Sequence, residues 1–166
     1  MTGTILGMST AVYTVIHVVT SLIGIFSGLL VILGMLGNKR WPLLTGLFLI
    51  TTILTSVGGF FFPFHGVTPG IVVGIISLVI LAVALVALYG QHLAGSWRRI
   101  YVVTAMIAEY LNCFVLIVQS FQKIPALHAL APTGTELPFK VAQVSLLVIF
   151  IALTVQVDKK FRPVTA

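Results

Sequence analysis

Five apolar stretches, each close to the length that a helix needs to cross a lipid bilayer, make up most of this 166-residue chain. A spanning helix takes about 20 apolar residues, at a rise of about 1.5 Å per residue. Prolines, glycines and basic residues separate the stretches, and Glu109 is the one charged residue that lies well inside any of them, since Lys140 is at the edge of the fifth. The sequence therefore predicts five transmembrane helices, over residues 11–36, 42–62, 70–89, 100–121 and 139–157.

The scarcity of charged residues excludes a water-soluble globule. Charged residues make up 7% of the chain and hydrophobic residues 59%, whereas a soluble domain carries about 25% charged residues. The apolar stretches do not alternate with polar residues as the strands of a membrane barrel would, so helices are expected to satisfy the backbone in lipid. We therefore expect an all-α membrane bundle that forms a single domain over residues 1–166.

The basic residues predict the orientation of this bundle. If successive connections alternate between the two sides of the membrane, seven of the nine basic residues fall on one side: Lys39, Arg40, Arg98, Arg99, Lys159, Lys160 and Arg162. The excess of basic residues marks the cytoplasmic side. The N-terminus is then expected outside and the C-terminus inside. Because these residues flank membrane spans, the net charge of +6 indicates lipid partners and not nucleic acid.

The longest connection, over residues 122–138, separates the fourth and fifth spans. Its stretch Ala126–Ala131 is apolar and compatible with a helix. We therefore expect a short amphipathic helix that lies on the outer membrane surface.

Glu109 is the residue with the highest expected free-energy cost of insertion into the membrane. It lies about 15 Å from the inner edge of its span, and an acidic residue at that depth costs about 2.5–3.5 kcal/mol on insertion scales. Asn112 and Gln119 continue its helix face toward the outside, and Thr52 and Thr55 of the second span lie at a matching depth. These five residues predict a ligand-binding site in the outer half of the bundle. The alternative is a carboxyl group that only bonds to a neighbouring helix.

Phenylalanines at positions 60, 61, 62 and 64 gather at the outer end of the second span. Interfacial aromatic residues are more often Trp or Tyr. Phe61 and its neighbours are therefore candidates for the wall of a pocket that takes a lipid-soluble ligand such as a quinone. The alternative is that they pack beneath the outer loop.

Three histidines, His17, His65 and His128, fall near the outer rim and could together hold a metal ion. No close spacing places two of them on one helix face, so histidines without a metal are the alternative. Haem held between two histidines needs a matched pair on facing helices, and only His17 lies within a span. We therefore predict no cofactor, with haem or quinone as weaker possibilities.

Two motifs of the form GxxxG, Gly24/Gly28 and Gly70/Gly74, provide small residues at which helices can approach closely. They predict helix contacts inside the monomer or, alternatively, faces for a homo-oligomer or for a partner in a membrane complex.

Two segments resemble a pattern found in small uncharacterised multi-pass membrane proteins of proteobacteria. They are Glu109–Asn112 and residues 121–139, which run from Phe121-Gln122-Lys123-Ile124-Pro125 to Glu136-Leu137-Pro138-Phe139. The resemblance implies a bacterial inner membrane and carries no known activity.

The chain shows no nucleophile–base pair, phosphate-binding loop or clustered metal ligands, so an enzyme is not expected. The leading hypothesis is a protein that binds or transports a small or lipid-soluble ligand at the polar site around Glu109. The alternative is a structural or assembly subunit of a larger membrane complex. A redox protein with haem or quinone is a third hypothesis.

Overall fold

The computed structural model describes residues 3–63, 66 and 68–163. Within these residues the chain forms six α-helices, and all except the fifth are long and apolar enough to cross a membrane. The expected all-α fold with five spanning helices is confirmed, and it is the architecture of a multi-pass membrane protein. The helices are α1 (Thr10–Leu36), α2 (Pro42–Gly59), α3 (Pro69–Leu85), α4 (Trp97–Lys123), α5 (Pro125–Leu130) and α6 (Leu137–Lys160).

Helix α2 ends at Gly59, three residues before the end that its apolar run indicates. Two glycines in succession, Gly58 and Gly59, weaken the helix there, and Pro63 disfavours helical geometry in the residue before it. Phe60, Phe61 and Phe62 therefore lie in a turn and not on the helix.

A π-helical turn, Val86–Gly90, extends α3, so that the continuous helical segment Pro69–Gly90 has 22 residues. A small hairpin precedes α1, in which β1 (Thr4–Ile5) pairs antiparallel with β2 (Met8–Ser9). Neither feature follows from the hydrophobic pattern.

Helix α4 is the centre of the bundle and contacts α1, α3, α5 and α6. Helix α1 packs along α2, and α2 in turn contacts α3. The core where these helices meet includes side chains that are at most 1% exposed, among them Phe48, Leu49, Leu81, Val102 and Met106. Helix α6 lies at the periphery, since 6% of its apolar window is buried, compared with 39% for α4.

The ends of α1, α4 and α6 meet at one end of the bundle. The guanidinium group of Arg98 donates to the backbone oxygens of Asp158 and Phe161 at 3.0 and 2.9 Å and pairs with the Asp158 carboxylate at 2.9 Å. The backbone N–H of Arg162 donates to the side chain of Asn38 at 2.6 Å. These contacts gather seven basic residues at what we call the basic end: Lys39, Arg40, Arg98, Arg99, Lys159, Lys160 and Arg162.

The connection between α4 and α6 is ordered by local hydrogen bonds. The side chain of Glu136 accepts hydrogen bonds from the backbone N–H groups of Thr133 and Thr135, at 3.1 and 3.0 Å. Ala131, just after α5, is 2% exposed.

Candidate functional site

The side chain of Glu109 is 1% exposed and lies near the middle of α4. Its carboxyl group packs directly against Gly28 of α1. A Cβ atom placed on Gly28 would overlap Oε2 of Glu109 and would lie 2.9 Å from Cδ2 of Phe48. The absence of a side chain at Gly28 therefore creates the space that the carboxyl group occupies.

Hydrogen bonds connect this carboxyl group to α2 through an amide. Nδ2 of Asn112 donates to Oε2 of Glu109 at 3.3 Å and to Oγ1 of Thr52 at 3.1 Å. The thiol of Cys113 lies 3.7 Å from Oε1. Asn112 and Cys113 follow Glu109 by three and four residues, which brings them onto the same helix face. We call the group Glu109, Asn112, Cys113, Thr52 and Gly28 the carboxyl centre.

The carboxyl centre contains no counter-charge. Within the part of the chain that the structure describes, the ion pairs are those of Asp158 with Arg98 and Arg99 at the basic end. Glu109 is thus compensated by hydrogen bonds from neutral donors. Ionisable residues inside membrane spans are rare and usually mark functional sites. Glu109 is therefore the candidate functional residue of this protein.

The position of the carboxyl group along the bundle follows from the ends of α1 and α4. Gly28 lies eight residues before the end of α1 at Leu36, about 12 Å along the axis. Glu109 lies twelve residues, about 18 Å, from the start of α4 at Trp97, and helical side chains lean toward the N-terminus of their helix. Both helix ends belong to the basic end, so the carboxyl group lies about 12–18 Å from that end, near the middle of α4.

The structure brings together three of the six predicted ligand-binding residues, Glu109, Asn112 and Thr52. The hydroxyl of Thr55 donates to the backbone oxygen of Thr51 on its own helix at 3.0 Å. Gln119 is exposed and lies about 15 Å beyond Glu109 along α4. Phe61 is 48% exposed in the turn after α2.

Of the three histidines of the predicted metal site, the structure describes His17 and His128. His17 is half-buried on α1 and packs edge-on against Phe62, with ring centroids 5.1 Å apart. His128 is exposed on α5. His65 lies outside the described residues, as does Phe64. Among the residues described, no three His, Cys, Asp or Glu side chains gather closely enough to hold a metal ion.

Both glycine motifs lie at contacts within the monomer. A Cβ atom on Gly24 would lie 3.1 Å from Oγ1 of Thr51. One on Gly74 would lie 3.0 Å from the ring of Phe60. The sequence motifs thus marked α1 and α3 as closely packed helices, but they did not reveal that Gly28 faces Glu109.

A small cavity lies between the carboxyl centre and the basic end. It has a volume of about 10 Å³ and its lining includes Thr45, Tyr101 and the basic residues Lys39 and Arg40. That volume is close to the room that one water molecule needs. Tyr101 precedes Glu109 by two helical turns, about 12 Å. The buried ring of Phe48, which is 1% exposed, lies between Thr45 and Thr52 along α2.

The hydrogen bond between Asn112 and Thr52 offers a direct test of the centre. Thr52→Val removes the hydroxyl of a fully buried residue that accepts this bond, and we expect a loss of stability of about 0.6–1.7 kcal/mol, the range for such bonds between membrane helices. Thr55→Val is the matched control, because its hydroxyl bonds only within α2. Unfolding in detergent micelles would measure both. Equal losses would show that the bond between the helices contributes nothing.

Comparison of the chain with known protein families, with curated proteins and with solved structures finds no match. The fold and the site nevertheless define a class, a multi-pass helical membrane protein with a buried carboxyl group at the junction of three helices. The function must be inferred from that carboxyl group and from the surfaces around it.

Proposed function

We propose that the protein binds a small ligand at the carboxyl centre as part of transport across the membrane, and that this ligand is a proton. The observation that carries the proposal is the burial of Glu109 without a counter-charge among the described residues. The centre is closely packed, and a proton is the one ligand that a carboxyl group can take up without a cavity.

Polar groups lie on both sides of the carboxyl centre along the contact of α1, α2 and α4. Toward the basic end are Thr45, Tyr101 and the small cavity. Toward the other end, the hydroxyl of Tyr13 donates to the backbone oxygen of Gly58 at 2.8 Å, close to His17. Hydroxyl and imidazole groups on both sides of Glu109 support the proposal that a proton reaches and leaves its carboxyl group in several steps. A larger or lipid-soluble ligand would require α1 to separate from α4 at Gly28.

The asymmetry of charge supports an orientation for this transport. Seven basic residues share the basic end, and Lys123 and Lys140 stand at the opposite ends of α4 and α6. The positive-inside rule then places the basic end in the cytoplasm and the N-terminus outside. The membrane we propose is the bacterial inner membrane, in keeping with the resemblance of residues 109–112 and 121–139.

Replacement of Glu109 tests the proposal. Glu109→Gln keeps the size and hydrogen-bonding shape of the side chain but removes the group that takes up a proton. We expect uptake of protons into proteoliposomes, driven by a potassium diffusion potential and followed with a trapped pH dye, to fall to the level of protein-free vesicles. Glu136→Gln is the matched control, because it changes the other glutamate, which lies in the α4–α6 connection.

Uptake that is equal in Glu109→Gln and in the unaltered protein would contradict the proposal. The melting temperature of each variant in micelles, measured in parallel, separates loss of transport from loss of fold.

The second candidate function is that of a structural or assembly subunit, and the observation that favours it is the exposure of α6. With 6% of its apolar window buried, α6 presents a long apolar surface, including Val141, Val144 and Val148, to its surroundings. The helix faces that contain Gly24, Gly28 and Gly74 pack against other helices of the same chain. A partner protein would therefore bind to α6. An assembly role would be unaffected by Glu109→Gln.

A further inference from the structure

We propose that the groove between α4 and α6 binds an anionic phospholipid, with one acyl chain in the groove and the phosphate group at the basic end. The α4–α6 groove has a volume of about 260 Å³, and its lining includes Ile107 and Tyr110 of α4 and Leu147, Ile151 and Val155 of α6. This site is independent of the carboxyl centre, which faces α1 and α2.

The shape and lining of the groove fit a hydrocarbon chain. Leu147 and Val155, which lie along its α6 wall, are eight residues apart, about 12 Å along the helix. Leu147, Ile151 and Val155 are 42%, 56% and 49% exposed. Because both walls belong to membrane-spanning helices, the groove opens onto the interior of the bilayer, where acyl chains surround the protein.

Basic residues stand where a headgroup would lie. On α6, the row Ile151–Val155 continues at the same four-residue spacing to Lys159, and on α4 the row from Ile107 leads back through Val103 to Arg99. Lys159 is one helical turn, about 6 Å, beyond the last groove residue. Both walls of the groove therefore end in a basic side chain at the same end of the bundle.

The charge at this rim is only partly neutralised within the protein. Asp158 is the acidic residue nearby, and its Oδ1 pairs with Arg98 at 2.9 Å. Arg99 approaches Oδ2 at 3.4 Å and its side chain is 72% exposed. Lys159 and Lys160 are exposed as well. An apolar groove that ends in positive charge at the membrane surface complements an amphiphile with an anionic headgroup.

The test is native mass spectrometry of the full-length protein in micelles that contain phosphatidylglycerol or phosphatidylcholine with the same acyl chains. Phosphatidylglycerol should be retained about tenfold more than phosphatidylcholine, since each basic group near the surface favours an anionic headgroup. Ile151→Trp, which fills the groove, and the double variant Arg99→Gln/Lys159→Gln should each remove this preference. The matched control is Lys123→Gln/Lys140→Gln, which removes two charges from the other ends of the same helices and should change nothing.

Four results would overturn the assignment. Equal retention of the two lipids would show that charge plays no part. Equal loss in the control variant would show unspecific attraction by net charge. Unchanged retention in Ile151→Trp, or displacement of the lipid by inorganic phosphate, would show that only the basic rim binds. Melting temperatures equal to that of the unaltered protein confirm that the variants are folded.

Discussion

Gly28→Ala should destabilise the protein by about 1–3 kcal/mol, the usual cost of adding a methyl group to a closely packed interior. The new Cβ atom would overlap the carboxyl group of Glu109 and lie 2.9 Å from the ring of Phe48. Both side chains are 1% exposed, so neither can move without disturbing its neighbours. Relief of the overlap would break the hydrogen bond from Asn112. Thermal unfolding in micelles measures the loss.

Gly46→Ala is the control for this prediction. Gly46 lies within α2, and among the described residues no atom beyond its own local helix lies within 4 Å of a Cβ added there. Because alanine is favoured over glycine inside a helix by about 0.5–1 kcal/mol, this variant should be as stable as the unaltered protein or more so. Equal destabilisation of the two variants would contradict the packing of Glu109 against Gly28.

A double-mutant cycle extends the test to the pair itself. In a Glu109→Ala background the carboxyl group is gone, so Gly28→Ala should cost less than it does in the unaltered protein. Residues in contact typically show coupling of about 0.5–3 kcal/mol. Strict additivity would mean that the two positions do not touch.

Arg98→Gln should release α6 from the bundle at its basic end. The guanidinium group makes three contacts, to two backbone oxygens and to the carboxylate of Asp158, all within 3.0 Å. Its side chain is 14% exposed, which limits screening by water. We expect a loss of about 2–3 kcal/mol, because hydrogen bonds from a charged donor are stronger than neutral ones. Amide hydrogen exchange at the end of α6 should rise accordingly.

Arg99→Gln removes the same charge from the next residue and serves as the control. Its side chain is 72% exposed and approaches Asp158 at 3.4 Å. An exposed ion pair contributes about 0–1 kcal/mol, so exchange at the end of α6 should hardly change. If the two variants behave alike, α6 is held by apolar packing and not by Arg98.

The parts of the fold that depend on length and spacing could be predicted from the sequence. Continuous apolar runs indicated five spanning helices, and a separation of three residues placed Asn112 beside Glu109. The structure ends α2 at Gly59, three residues before the predicted end, because of the backbone preferences of Gly58, Gly59 and Pro63. A prediction from hydrophobicity alone does not include these preferences. Phe61 therefore lies in the turn after α2 and not beside Glu109, Asn112 and Thr52.

Contacts between helices could not be predicted in the same way. Thr52 and Thr55 are both hydroxyl residues at similar depth, yet one bonds to Asn112 and the other to its own helix, as threonine in a helix can. Which of them faces α4 depends on the rotation of α2. Gln119 shares a helix face with Glu109 in projection, but its side chain is exposed. The role of Gly28 became visible only once α1 and α4 were placed side by side.

The exposure of α6 has a consequence for the order of assembly in the membrane. Lipid chains are as apolar as the side chains they surround, so helices in a bilayer gain little from hiding apolar surface against one another. A helix that buries so little of itself therefore associates mainly through directed polar contacts, such as those of Arg98 and the bond from Gln143 to the backbone oxygen of Phe114 at 3.3 Å. We therefore expect α1 to α4 to associate first and α6 to dock onto them last.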